Sequence, residues 1–174
     1  FPSPAGTDGF SNYDYNLADS LSVNGIDCYL IKYSPKRKEM LAFQGSLYIS
    51  KDTYNIVKST LKSTNKINVN FVNGIYMELE YDTPNEMVFL PKKSYTELEM
   101  SIFNKKKDAK GVLFKRTDIF SDYLFNQNFS DSFLVPKDQT LSDENLTKTD
   151  DFWEKERVEP LEEEKKKIYK KIQK

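Results

Sequence analysis

The residues from Leu41 to Leu61 constrain the fold more than any other part of the chain, because their side chains alternate strictly between apolar and polar. One face of the first half carries Leu41, Phe43, Gly45, Leu47 and Ile49, and the other carries Ala42, Gln44, Ser46, Tyr48 and Ser50. Alternation with a period of two is typical of a half-buried strand. Polar residues then favour a turn, and strand-forming residues resume at Tyr54. We therefore predict a β-hairpin with one apolar face.

Further strand-like segments lie on both sides of this hairpin. Asn24-Gly25 is a strong signal for a tight turn. Asn73-Gly74 indicates either a second hairpin or one long strand with a bulge at the glycine. The remaining strand-like segments are 13–17, 26–33, 67–71, 75–81, 87–90, 95–103 and 112–125, the last with a short helical piece near 118–125. Together they predict a mainly β (α+β) fold, a curved antiparallel sheet or half-barrel.

The C-terminal part of the chain has a different pattern. Residues 126–150 are polar and poorly patterned, which predicts a long loop. Asp151 suits the N-cap of a short helix, with Glu154 three residues further on. A second helix is expected from Pro160, because glutamates and then lysines follow it in the order that suits a helix dipole. We predict a sheet domain over residues 1–150 and a helical segment over 151–174, which links to a further domain.

Composition excludes several classes of function. The chain has 174 residues, enough for one domain that buries roughly 70% of its unfolded surface. It contains no histidine, which excludes Ser-His-Asp and Cys-His catalysis and any His-ligated metal site within it. Cys28 is the single cysteine, and its apolar neighbours indicate a buried residue. A net charge of −1 lacks the excess of basic residues that is typical of nucleic-acid-binding proteins. We predict no enzyme activity, catalytic residue, cofactor, metal or nucleic-acid partner.

Two pairs of carboxylates stand at alternate positions of predicted strands, Glu78 with Glu80 and Glu97 with Glu99. Such pairs could hold a hard cation or hydrolyse a glycoside. They are also typical of the solvated side of an antiparallel sheet. The second interpretation is favoured, because such faces are normally polar.

A basic turn and an apolar set supply the candidate binding residues. The turn contains Lys36, Arg37 and Lys38 and, with residues 105–107, could meet phosphates or lipid headgroups or simply remain solvated. The apolar set could cradle a lipid or form a core; it consists of Leu41, Phe43, Leu47, Ile49, Val69, Phe71, Met77 and Leu79. The binding candidates taken from both groups are Lys36, Arg37, Lys38, Phe43, Leu47, Ile49, Phe71 and Met77.

Several short motifs occur in an order that resembles a known family. They are Tyr-Asp-Tyr-Asn-Leu at 13–17, Ile-Lys-Tyr-Ser-Pro-Lys-Arg-Lys at 31–38, Phe-Gln-Gly-Ser-Leu-Tyr-Ile at 43–49, Trp-Glu-Lys-Glu-Arg at 153–157, and Pro160-Leu161 through Tyr169. The order resembles the middle region of an uncharacterised family of Bacteroidetes outer-membrane proteins, where a carboxypeptidase-regulatory-like domain precedes it and a membrane β-barrel follows. The resemblance implies a periplasmic location at the outer membrane. It also implies partners among the other domains of that polypeptide or among periplasmic proteins, and it supplies no catalytic residues.

The hairpin at 45–57 is also similar to one in periplasmic lipoprotein carriers of the LolA type. Those carriers are half-barrels that hold acyl chains under a helical lid, and they begin with a long helix that this chain lacks. Two hypotheses follow. The first is a non-enzymatic binding or docking module of an outer-membrane protein. The alternative is a carrier or sensor of a lipid-like ligand.

Overall fold

A computed structural model describes residues 1–37, 39–64, 71–84, 88–101, 111–128 and 148–172, apart from the side chains of Lys170 and Ile172. The chain divides into two compact units, Phe1–Tyr123 and Leu124–Lys174. Among the described residues, the first unit contains the sheet and the second contains two helices.

The first unit begins with a short helix and continues as a seven-stranded antiparallel meander. Its elements are α1 (Gly9–Asn12), β1 (Tyr13–Val23), β2 (Ile26–Pro35), β3 (Phe43–Ser50), β4 (Ile56–Ser63), β5 (Val72–Asp82), β6 (Leu90–Ser101) and β7 (Gly111–Ile119). Each strand pairs with the next one along the chain, so the order in the sheet is the order in the sequence. Within the described residues the curved sheet does not close, and β1 and β7 are its edges. The predicted mainly β fold is confirmed.

Local turn chemistry explains the β1–β2 connection. Asn24 and Gly25 form a two-residue loop, and both have positive φ angles, 52° and 83°. A type I′ hairpin turn requires this conformation at both central residues, and asparagine and glycine tolerate it best. The predicted turn at Asn24-Gly25 is confirmed.

The second Asn-Gly pair behaves differently, because Asn73 and Gly74 lie inside β5. The pairing of β5 with β6 shifts between Val72 and Gly74, so the predicted bulge is confirmed and the hairpin at this pair is wrong. The predicted single long strand is not confirmed, because β5 begins at Val72. Phe71 precedes the strand in a turn, with a φ of 65°. The other predicted strand residues, at 65–70, lie outside the described residues.

The hairpin of β3 and β4 starts two residues later than predicted. Ala42 is fully buried and Leu41 is exposed, the reverse of the predicted facing. The reason is that residues 39–42 precede the strand: the Met40 N–H bonds to the Arg37 carbonyl in a turn, and β3 begins only at Phe43. Tyr54 also lies in a turn rather than in a strand, with a φ of 57°.

The hydrophobic core lies on one face of β1–β4, around Tyr13, Tyr33, Ala42 and Leu47. The N-terminal segment, residues 1–12, covers this face. Phe1 stacks on Phe43 with ring centroids 4.7 Å apart. The hydroxyls of Tyr13 and Tyr15 donate hydrogen bonds of 2.7 Å to the carbonyls of Pro2 and Pro4. Aromatic contacts and backbone acceptors thus hold the segment over the core.

Burial decreases from one side of the sheet to the other. Among the described residues, every fully buried one lies between Pro4 and Ser63. Strands β5 and β6 are half-buried along most of their length, and β7 is exposed at all but one of its positions. The sheet therefore has a covered half, β1–β4, and an open half, β5–β7.

The second unit contains α2 (Asp150–Glu156) and α3 (Glu163–Ile172). The N-cap of α2 is Thr149 rather than the predicted Asp151, and no side-chain capping bond forms there. The helical piece predicted near 118–125 is absent from these described residues, because β7 extends to Ile119 and Asp122 has a left-handed φ of 56°. Among the described residues, no helix is both long and apolar enough to cross a membrane.

Candidate functional site

Apolar side chains share one face of the open half, and we define six of them as the open apolar face. Strand register fixes their common orientation, because directly paired residues of antiparallel strands project to the same side. Ile75 pairs with Leu98, which pairs with Phe114, and Met77 continues the face from Leu61 of β4. The open apolar face consists of Ile75, Met77, Leu79, Leu98, Val112 and Phe114.

Exposure on this face is largest at the sheet edge. Phe114 is 50% exposed and Val112 is 44% exposed, whereas the other four residues are half-buried. In the covered half, the same face of the sheet contains Leu47 at 5% exposure and Tyr33 at 3%. Solvent therefore reaches apolar surface in β5–β7 that the N-terminal segment excludes from water in β1–β4.

The structure divides the predicted apolar candidates between the two halves. Leu47 lies in the core, and Phe43 and Ile49 pack against it. Met77 belongs to the open apolar face. Phe71 is 67% exposed in the turn before β5.

The basic turn lies between β2 and β3. The Lys36 Nζ donates a 2.6 Å hydrogen bond to the Phe10 carbonyl, so this ammonium helps to hold the N-terminal segment. Arg37 is exposed, and its carbonyl accepts the bond from Met40. Lys38 and the lysines at 105–107 lie outside the described residues.

The opposite, polar face carries the predicted carboxylates, and lysines of neighbouring strands pair with them. The Lys58 Nζ lies 2.7 Å from the Glu78 Oε1 and 3.1 Å from the Glu80 Oε1. The Lys115 Nζ lies 3.2 Å from the Glu97 Oε1. Among the described residues, no three metal-ligating side chains come together. This arrangement is that of a charge-paired solvated face.

These contacts shift the pKa values of the paired groups. Burial raises the pKa of Glu78, but the hydrogen bond and charge of Lys58 outweigh it and hold that pKa below its usual range. Burial by itself lowers the pKa of Lys58, but the hydrogen bonds to Glu78 and Glu80 outweigh burial. The pKa of Lys58 is therefore raised. Sequence analysis did not identify Lys58, because only the strand register shows which carboxylates it faces.

Replacing Lys58 should therefore have a pH-dependent cost. We expect Lys58→Met to lower the free energy of unfolding by about 1 kcal/mol at neutral pH. The lowered folded-state pKa of Glu78 contributes stability that is fully present above the unfolded-state pKa, at roughly pH 4. This stability is lost as the pH falls through the folded-state pKa. The difference in unfolding free energy between Lys58→Met and the parent chain should thus shrink in acid. Urea unfolding across this pH range measures it.

The matched control for this experiment is Lys62→Met. Lys62 lies on the same face of the same strand and is exposed, so its replacement should change the unfolding free energy by less than about 0.5 kcal/mol. A Lys58→Met deficit that stays constant down to the lowest pH would contradict the assignment of this ion pair.

A groove of about 540 Å³ lies where β4 ends and β5 begins. Its lining mixes charged and polar groups, among them Lys62, Asn73, Glu97 and Glu99, with the apolar Ile75 and Leu113. An acyl chain needs an apolar lining, since unpaired charges beside it lose hydration. The groove therefore does not have the chemistry of a lipid-carrying cavity.

Comparison with known proteins identifies a family without an assigned role. No curated protein and no solved structure matches the chain. A model described as a family of unknown function (DUF5686) matches residues 1–114. The matched range contains the covered half, β5, β6 and the exposed start of β7. The chain therefore belongs to the DUF5686 family of unknown function.

Proposed function

We propose that this chain is a non-enzymatic binding module whose open apolar face docks onto an apolar surface of a protein partner. One observation carries the proposal: β5, β6 and β7 contain 11, 12 and 9 residues, yet among them no described side chain is fully buried. A sheet with one apolar face is stable when another layer covers that face. In the covered half the N-terminal segment is this layer, and in the open half a partner would supply it.

We further propose that the module acts on the periplasmic side of an outer membrane. The support is the resemblance of its motifs, in their order, to the middle region of Bacteroidetes outer-membrane proteins. The partner would then be another domain of the same polypeptide or a periplasmic protein. A net charge of −1 favours such a partner over a nucleic acid.

The alternative function is a carrier of a lipid-like ligand on the same face. The curved, unclosed sheet favours it, because half-barrel carriers of this kind hold acyl chains against such a face. The filled covered half argues against it, since Tyr13, Tyr33 and Leu47 already occupy the apolar face there. Docking requires only an accessible apolar surface, which the open half provides, and we favour docking for this reason.

Fluorescent probes distinguish the two functions. Anilinonaphthalene sulfonate reports accessible apolar surface, and a dansyl-labelled fatty acid reports an acyl-chain site. We expect the folded chain to enhance the sulfonate fluorescence, and Phe114→Asp to reduce the enhancement at least about twofold by removing the most exposed residue of the face. We expect no saturable binding of the fatty acid.

The control variant is Leu113→Asp. Leu113 is the neighbouring residue on β7, is 54% exposed, and projects from the opposite face. It should leave the enhancement largely unchanged. One-to-one binding of the fatty acid, lost in Phe114→Asp, would instead support the carrier. Absence of any sulfonate response in the parent chain would overturn both functions.

A further inference from the structure

The outer edge of β7 is an unpaired strand with regular geometry. β7 pairs with β6 from Gly111 to Ile119 without a register shift, and within the described residues no strand lies on its other side. All of its residues except Asp118 are exposed. Such an edge presents free backbone donors and acceptors to another strand.

The hydrogen-bond ladder shows which backbone groups face outward. The Phe120 N–H donates to the Lys92 carbonyl over 3.0 Å, so Phe120 directs its backbone groups toward β6. Alternate residues of an antiparallel strand bond to the same neighbour. Phe114, Arg116 and Asp118 therefore also face β6. The residues whose backbone groups face outward are Leu113, Lys115, Thr117 and Ile119.

The two edges of the sheet differ in how they are protected. At the other edge, the pairing of β1 shifts between Leu17 and Asp19, which marks a bulge. Bulges discourage strand addition. β7 has no such bulge and exposes consecutive apolar residues, including Leu113 and Phe114. Strand addition is therefore favoured at β7.

A second copy of this chain fits the β7 edge in one antiparallel register. A two-fold axis at Thr117 places Arg116 of each copy opposite Asp118 of the other, and Phe114 opposite Phe120. Axes at Lys115 or Arg116 oppose like charges, which destabilise a strand pair. An axis at Phe114 leaves Arg116 opposite Val112, with no ion pair. An axis at Asp118 again opposes like charges. An axis at Ile119 places Arg116 opposite Asp122, which lies beyond β7 with a left-handed φ of 56°. Among these registers, the Thr117 register joins opposite charges and exposed aromatic rings within the extended segment.

We infer that two copies of this chain pair through their β7 strands, about a two-fold axis at Thr117. The Arg116 Nε already lies 2.8 Å from the Asp118 Oδ1 within one strand. Pairing would join two such ion pairs into a network of four charges. The outward N–H and C=O of Thr117 would bond to their counterparts in the second copy. This interface uses the edge of the sheet and shares only Phe114 with the open apolar face of the proposed docking.

Charge reversal tests the register by sedimentation velocity of the full chain over a concentration series. Asp118→Arg sets Arg116 against arginine in both symmetric pairs, and we expect the dimer to weaken about tenfold or more. The double variant Arg116→Asp with Asp118→Arg restores opposite charges at both positions, so dimerisation should recover to within about threefold of the parent. Circular dichroism of each variant checks that the sheet remains folded.

A cysteine scan tests the same axis independently of charge. Thr117 would oppose itself at a Cα separation of about 5.5 Å, which lies within disulfide range. Thr117→Cys should form a covalent dimer under oxidation, and Leu113→Cys should not, because its two copies would lie far apart. Cys28 is buried and should contribute little background. A monomer at every concentration, or a dimer indifferent to Asp118→Arg, would overturn the inference.

Discussion

Gly45→Ala should lower the free energy of unfolding by about 3 kcal/mol or more, one of the two largest effects expected of a single replacement in this chain. A Cβ atom at this position would lie 1.9 Å from the Thr60 carbonyl oxygen and 3.0 Å from the Tyr33 hydroxyl oxygen. Both atoms belong to one contact, because the Tyr33 hydroxyl donates to the Thr60 carbonyl over 2.9 Å. Denaturant unfolding, followed by circular dichroism, measures the loss.

Gly74→Ala is the matched control for this replacement. A Cβ atom there would meet only the flexible Glu99 side chain, at 3.6 Å and beyond. Both changes remove the backbone freedom of a strand glycine, so their difference isolates the steric clash. We expect Gly74→Ala to stay within about 0.5 kcal/mol of the parent. Equal effects at Gly45 and Gly74 would show that the Thr60 carbonyl and the Tyr33 hydroxyl do not lie against Gly45.

The second large effect is expected at Tyr33, which is 3% exposed. Its ring contacts that of Tyr13 edge to face, at a centroid distance of 5.6 Å. Tyr33→Ala should cost about 4 kcal/mol, because it leaves a cavity under the N-terminal segment. Tyr33→Phe should cost about 1 kcal/mol, the value of the bond to Thr60. Both values come from the same denaturant titrations.

The pH dependence of stability in these variants separates the contribution of the Tyr33 hydroxyl from that of its ring. Burial, with smaller contributions from Tyr13 and Tyr15, raises the pKa of Tyr33 far above its usual range. A raised folded-state pKa of an acid stabilises the fold below the unfolded-state pKa, and this stability is lost progressively as the pH rises above that value. The unfolding free energy of Tyr33→Phe should therefore fall less steeply with rising pH in alkali than that of the parent chain. Equal losses for the Phe and Ala variants at neutral pH would contradict the packing role of the ring.

Local signals in the sequence were sufficient for the turns and for most strands. Asn24-Gly25 requires no distant contact, because its φ angles follow from the two residues themselves. The alternation from Phe43 to Ser50 likewise predicted β3 correctly. Before the strand begins, the prediction failed: Leu41 and Ala42 precede β3, so their facing depends on tertiary contacts.

The division into a covered and an open half could not be predicted from the pattern. Phe43 and Met77 both occupy apolar positions of alternating strands, yet only Phe43 stacks on Phe1. The acceptors that hold the N-terminal segment are the backbone carbonyls of Pro2 and Pro4. A hydrophobicity pattern describes side chains and contains no information on backbone groups. The ion pairs of Lys58 were missed for a similar reason, since they follow from the register of β4 with β5.

Radical footprinting read by mass spectrometry tests the division of the sheet most directly, by comparing Phe114 with Tyr33. Both are aromatic and both lie on the apolar face of the sheet, but Phe114 is 50% exposed and Tyr33 is 3% exposed. We expect the Phe114 ring to be modified many times faster than the Tyr33 ring in the folded chain. Comparable protection of the two rings would mean that β5–β7 is already covered, and would contradict the account.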